Sequence, residues 1–201
     1  MTNNAQASAP RDPASMVGRA GAEIFNQALL DEGVEVLFGY PGGAVIPIFD
    51  VLLDSPIRYL QSRHEQGAAH MADGYARSTG KVGTIIATSG PGATNLVTGL
   101  ATAFMDSAPV VAFTGQVKSH LIGNDAFQEA DVTGITRPVT KHNYLVKRVE
   151  DLGRVVREAY YLARTGRPGP VLVDIAVDAT TGRLESECDM QMDLPGYKPR
   201  T

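Results

Sequence analysis

The chain has 201 residues, enough for one domain of ordinary size that buries roughly two-thirds to three-quarters of its unfolded-chain surface. Hydrophobic residues make up 43% and charged residues 20%, which excludes a disordered chain, and the net charge of −4 offers no basic field for nucleic acid or anionic lipid. Cys188 is the only cysteine, so no disulfide can form within the chain, and a reducing, cytosolic setting is the simplest expectation.

The start, MTNNAQASAPRDPASM, lacks the apolar core of a secretory signal and reads as a disordered leader over residues 1–15. From Gly18 to Gly33, apolar residues at helical spacing (Ala22, Phe25, Leu29, Leu30) predict a helix that stops at a glycine. VEVLFGY (34–40) is short and β-branched and reads as a strand. AVIPIFDVLL (44–53) follows a PGG turn and reads as a helix, with Pro47 marking its first turn or a kink. IRYLQ (57–61) is a strand, and Glu65 to Ser78 a helix ended by Gly80. GTIIATS (83–89), PVVAFTG (109–115), NYLVK (143–147) and PVLVDIA (170–176) are four more strands. Helices are expected at Ala93–Met105 and Asp151–Thr165, with a less regular part around Asp125–Thr133. The tail after Arg183 has no periodicity and reads as a linker, over 184–201, to a domain that lies elsewhere. No apolar run reaches the length of a membrane span.

Six strands rich in Val, Ile and Leu that alternate with helices predict an open, doubly wound α/β fold. Its six-stranded parallel sheet would be covered by helices on both faces. Ligands of such folds bind at the carboxyl ends of the strands. Four polar or glycine-rich loops fall there: YPGG (40–43), RHE (63–65), TSGPGATN (88–95) and TGQV (114–117).

RHEQGAAHMADGYAR (63–77) is not a zinc-protease helix. His64 and His70 are six apart, a rotation of roughly 240° on an ideal helix, where the motif needs four. A glutamate in a helix's first turn is also stabilised by the macrodipole without any further role, and the small residues Gly67, Ala68, Ala69 and Ala72 allow close helix packing. TSGPGATN lacks the lysine of a Walker loop and, with Asn95 in last place, does not complete G-x-G-x-x-G. On its own it is a strand-to-helix turn in which Gly90 and Gly92 supply unusual dihedrals and Pro91 stiffness.

FGYPGGAVIPIFD, RHEQGAAHMADGYARSTGK, TSGPGATNLVTGLATAF, TGQV, IGNDAFQEADVTGITRPVTKHNYLV and TGRPGPVLVDI together resemble the amino-terminal domain of acetohydroxyacid (acetolactate) synthases, from about Met16 to Asp178. GPGATN and RHE-G are shared with many thiamine-diphosphate enzymes. YPGGA, DAFQE-D and T-K-HN-LV are more specific.

The resemblance implies a domain over 16–183 that cradles the aminopyrimidine ring of thiamine diphosphate, with Glu65 hydrogen-bonded to N1′ and sharing a proton there. Pyruvate would be decarboxylated and its two-carbon unit passed to a second 2-oxo acid, pyruvate or 2-oxobutyrate. Further cofactor contacts are implied at Tyr40, Pro41, Gly42, Gly43, Pro91, Gly92, Asn95 and Gln128. Gly43 and Gln128 would lie beside the reacting centre, and Ala44 and Phe127 in the substrate channel. Arg167 matches a residue that touches FAD, which such enzymes keep for structural reasons. The resemblance further implies Mg2+ bound by a separate carboxyl-terminal domain, a homo-oligomer (dimer or tetramer), a possible small regulatory subunit, a cytoplasmic location, and no metal ligand in this chain. By themselves, Phe127 reads equally as core and Arg167 as a helix C-terminal charge.

The sequence departs from that pattern in three places. Lys118 follows GQV where the family has proline. Ala176, Val177, Asp178 stand where it has proline, lysine and aspartate, so Val177 replaces a basic group of the channel. The chain also stops at Thr201, before the family's middle and carboxyl-terminal domains, and reads as a fragment that would be inactive alone. Another thiamine-diphosphate carboligase, such as a sulfoacetaldehyde acetyltransferase, is the alternative enzyme. A module that only binds a nucleotide or a partner is the alternative outside enzymes.

Overall fold

The computed structural model describes residues 15–188 and 190–199, so the leader expected over 1–15 lies, except for Ser15, outside the described residues. Helices are α1 (Gly21–Asp31), α2 (Ile46–Leu52), α3 (Glu65–Thr79), α4 (Pro91–Thr94), α5 (Val97–Met105), α6 (Val132–Thr136), α7 (Val149–Arg164) and α8 (Val177–Thr181). Strands are β1 (Val36–Gly39), β2 (Arg58–Gln61), β3 (Gly83–Ala87), β4 (Val110–Gln116), β5 (His142–Val146) and β6 (Val171–Ala176).

All six strands run parallel in the order β2-β1-β3-β4-β6-β5. The fold is therefore the doubly wound α/β sheet expected from the sequence. Strands β3, β4 and β6 are buried along their whole length, as continuous apolar runs between two helical layers must be. One face packs Phe25 and Leu29 of α1, Ile48 of α2 and Leu152, Val156 and Tyr160 of α7 against Phe113, Val171 and Val173. The other packs Ala68, Ala69 and Ala72 of α3, Leu96 just before α5, and Leu100 and Ala103 of α5 against Ile85, Ala112 and Leu172. The small residues of α3 do bring a helix close: a Cβ on Gly99 of α5 would lie 2.3 Å from that of Ala69. Sheet order reverses between β1 and β3, so the loops after these two strands flank the crevice where such folds bind ligands.

Pro47 takes the first turn of α2, where its missing N–H costs nothing. Three features depart from expectation. The helix expected over Ala93–Met105 is two helices, because the chain tightens at Leu96, whose N–H bonds Ala93 O. Val177 opens a short helix, α8, although VDATT is rich in β-branched residues. The described residues of the tail form no helix or strand but are docked. Leu184 is buried with Ile24 and Val149, Met190 lies against Gly153, and the Tyr197 hydroxyl accepts from Lys141 Nζ at 2.9 Å. Among the described residues no helix is long and apolar enough to cross a membrane.

Candidate functional site

Strand β2 ends at Gln61, and after three residues the chain enters α3 at Glu65. The His64 ring caps the helix, its Nδ1 accepting from Gln66 N at 3.2 Å. Glu65 is the first helical residue and is only 8% exposed. Its Oε2 accepts from Asn95 Nδ2 at 2.9 Å, just where α4 gives way to α5. Its Oε1 faces Gly92: a Cβ there would lie 3.3 Å from Oε1 and 2.7 Å from Thr88 Cγ2. Glycine at 92 therefore leaves a small cradle in front of one oxygen of this largely buried side chain.

Thr88, just past the end of β3, joins this cradle to the loop after β1. Its Oγ1 accepts from Ala44 N at 3.3 Å, and a Cβ on Gly42 would lie 2.5 Å from Thr88 Cβ. Gly42 precedes a short 3₁₀ turn, Gly43–Val45. Gly43 is exposed, with no neighbour within 4 Å of a would-be Cβ, so open space lies above it. Tyr40 and Pro41 are exposed on the rim, and a groove bordered by Tyr40, Gln61, Ser62 and Arg63 opens beside them.

The third wall is the loop before α6. Gln128 has a left-handed backbone (φ 57°), and its carbonyl would lie 2.4 Å from a Cβ on Gly90, itself at φ 54°. Neither chain could approach so closely with a side chain at 90. Phe127, next to it, is 87% exposed, so of the two roles open to it from sequence, plain core is excluded. The Glu129 carboxylate closes the loop by accepting from Gly123 N and, at 3.1 Å, from Ala126 N. These backbone donors hold the Glu129 carboxyl below the usual range.

Lys118 and Val177 lie at the carboxyl ends of the adjacent strands β4 and β6. Their loops are tied by Asp178, which accepts from Ser119 N at 3.0 Å and from the Ser119 hydroxyl. Burial pushes the Asp178 carboxyl up, but the Ser119 bonds outweigh it and leave the group more acidic than usual. Arg167 is not part of this assembly. It precedes β6, on the amino edge of the sheet, where Nε donates to Ser107 Oγ at 2.8 Å. A cavity bordered by Glu32, Glu35, Tyr75, Lys81, Tyr160 and Arg164 also lies at that far edge. The sheet thus brings Gly42, Ala44, Glu65, Gly92, Asn95 and Gln128 together, leaves Pro91 and Phe127 exposed on the rim, and keeps Arg167 apart.

Sequence reasoning missed Asp174, 1% exposed on β6, which accepts from Thr114 Oγ1 at 2.7 Å and Gln116 Nε2 at 2.9 Å. Burial raises its carboxyl to about 7, with these two bonds lowering it and the Asp131 charge raising it further. A signal was available: it is the one acid inside the apolar run PVLVDIA.

Together these features define a doubly wound, cofactor-binding α/β domain with a buried glutamate at its switch-point crevice. The chain belongs to the family described as thiamine pyrophosphate enzyme, N-terminal TPP binding domain, whose model matches residues 19–135. It is similar to acetolactate synthases. A Mycobacterium bovis acetolactate synthase is 58% identical over 182 residues, 90% of this chain and 29% of that protein. A probable acetolactate synthase large subunit of Methanocaldococcus jannaschii is 53% identical over 184 residues, 90% of this chain and 31% of that protein. The Corynebacterium glutamicum acetolactate synthase large subunit is 50% identical over 206 residues, 98% of this chain and 33% of that protein. The chain therefore spans about a third of the length of the curated relatives it matches.

Proposed function

We propose that this chain is the pyrimidine-binding part of an acetolactate synthase catalytic subunit, which joins a two-carbon unit from pyruvate to a second 2-oxo acid. The observation that carries the reading is the Glu65 cradle. One oxygen of this largely buried side chain, at a helix start and steadied through its neighbour by Asn95, faces a space that a side chain at 92 would fill. That arrangement fits a flat, nitrogen-bearing ring. Thiamine diphosphate, when bound, supplies the carbon chemistry that no side chain here could perform. Glu65 would hold and exchange a proton at the ring's N1′, with Gly42, Pro91, Gly92 and Asn95 shaping the ring's seat and Tyr40 and Pro41 its rim. Gly43 would leave room for substrate and Gln128 would hydrogen-bond it. Ala44, Phe127, Lys118 and Val177 would border its channel.

Residues 16–183 would form this domain and 184–201 the segment leading on from it. The diphosphate and Mg2+ would be held by the further length that the relatives possess; among the described residues no cluster of His, Cys, Asp or Glu could hold a metal. FAD, if present, would meet Arg167 at the far edge of the sheet and have a structural part only. The relatives named large subunits support a small regulatory subunit as partner. The enzyme would be a homo-oligomer (dimer or tetramer) in the cytoplasm.

The test is Glu65→Gln in the full-length enzyme, which keeps the shape but cannot cycle a proton. The rate of C2 proton exchange on bound thiamine diphosphate, followed by NMR, should fall by about 10²-fold or more, with kcat falling alongside it. Exchange as fast as in wild type would remove Glu65 from the role.

A further inference from the structure

A carboxylic acid in the middle of an apolar strand needs a reason, because burying it is costly unless its oxygens are paired. Asp174 stands directly opposite Thr114 in the parallel β4–β6 register, and Gln116 lies two residues along β4 on the same face. Thr114 Oγ1 donates to Asp174 Oδ1 and Gln116 Nε2 to Oδ2. Gln116 Nε2 also donates to the Ala130 carbonyl at 2.9 Å, and Gln116 Oε1 accepts from Val117 N at 2.8 Å. Both amide hydrogens and the amide oxygen are in use. Turned over, the amide would set its oxygen against the Ala130 carbonyl and its nitrogen against Val117 N, so only one orientation satisfies the network.

The network is not needed to pair the strands, since β4 and β6 already share six residue pairs along their ladder. Apolar side chains of similar volume would fill the space without the cost of desolvation. What it does reach is the loop that carries Phe127 and Gln128, gripped at Ala130. That loop holds left-handed backbone at Gly123, Asp125 and Gln128, conformations that persist where the surroundings over-determine them.

We propose that Gln116 and Asp174 are positioning residues: from inside the sheet they hold the active-site loop by its Ala130 carbonyl, and so fix where Gln128 meets the substrate beside the Gly90 turn. The inference rests on the proposed acetolactate synthase reading. Asp174 orients the Gln116 amide, Gln116 holds the loop, and only Gln128 touches substrate. Both positioning residues are at most 2% exposed and work through the loop alone.

The experiment is a double-mutant cycle in the full-length enzyme. Gln116→Leu should lower kcat/KM for pyruvate by about 10-fold or more while the dissociation constant for thiamine diphosphate, measured with Mg2+, moves less than about twofold. Combined with Gln128→Ala, it should cost nothing beyond Gln128→Ala alone, because it acts through that residue. Should the leucine variant fail to fold, Gln116→Glu serves in its place, keeping the bond to Val117 N while setting an acceptor against Ala130 O. Asp174→Asn should stay near wild type, since asparagine can offer Oδ1 to Gln116 and Nδ2 to the Thr114 hydroxyl. Asp174→Leu should behave as Gln116→Leu does. Losses that multiply across the cycle, or cofactor affinity falling in step with kcat/KM, would show a general structural role and overturn the inference. A wild-type enzyme that forms no acetolactate from pyruvate would remove the underlying reading instead, and this inference with it.

Discussion

Glu65 and Asp174 are two buried acids with opposite arrangements: one keeps an oxygen facing a cradle, and the other has both oxygens occupied. The difference has a consequence for pH. Asp174 is held at about 7 against an ordinary 3.8, so the folded chain keeps a proton that the unfolded chain has released between those values. Stability supplied by the neutral acid is therefore whole below pH 4 and is lost as pH rises toward 7, by up to about 4 kcal/mol. Asp131 is the neighbouring charge that adds to the shift. Urea unfolding of wild type and Asp174→Asn across this window should give a falling curve for the first and a flatter one for the second. Parallel curves would show that Asp174 ionises in the folded chain as readily as in water. Glu65 was legible in the sequence because a strand, a short polar loop and a helix start place it at a crevice edge. Asp174 stood out only as an acid in an apolar run; its partners were not legible, because what it meets is decided by the register of two strands some 60 residues apart, which local pattern does not contain.

At the scale of elements, the six strands were legible because their apolar runs are short and enriched in β-branched and aromatic residues, features that favour a buried strand over a buried helix. Less legible was everything set by one element touching another: the break between α4 and α5, the turn of α8, and the docking of the tail on α7. The turn after β3 shows such a contact most sharply, since Gly90 is squeezed against the backbone of a loop nearly 40 residues on. Gly90→Ala should combine an unfavourable left-handed backbone with a 2.4 Å clash against Gln128 O, costing about 1–3 kcal/mol and lowering Tm by several degrees. Gly43→Ala, with nothing within 4 Å of its Cβ, should leave Tm unchanged. Calorimetry of the two variants checks this, and equal melting would mean that the turn and the loop are free to separate.

At the scale of the whole molecule, the two helical layers differ in what covers them. The face with α1 and α7 is overlaid by the docked tail, through Leu184, Met190 and Tyr197. The face with α3 and α5 has no such cover among the described residues. Val97, Ala101 and Met105 share a shallow surface along α5 with Thr98, Thr102 and Asp106, and Met105 is 73% exposed; Met71 of α3 is also exposed. Contiguous apolar patches on soluble domains are commonly closed by association, and identical patches close on each other through a two-fold axis. The chain should therefore sediment as a dimer that dissociates on dilution, with the α5 surfaces facing each other. Met105→Glu places a charge on each side of that contact and should yield monomers without lowering Tm, because this side chain lends little to its own domain's core. Sedimentation velocity of the two proteins decides it. A wild type that remains monomeric at every concentration, or a glutamate variant that dimerises as well as wild type, would place the contact elsewhere.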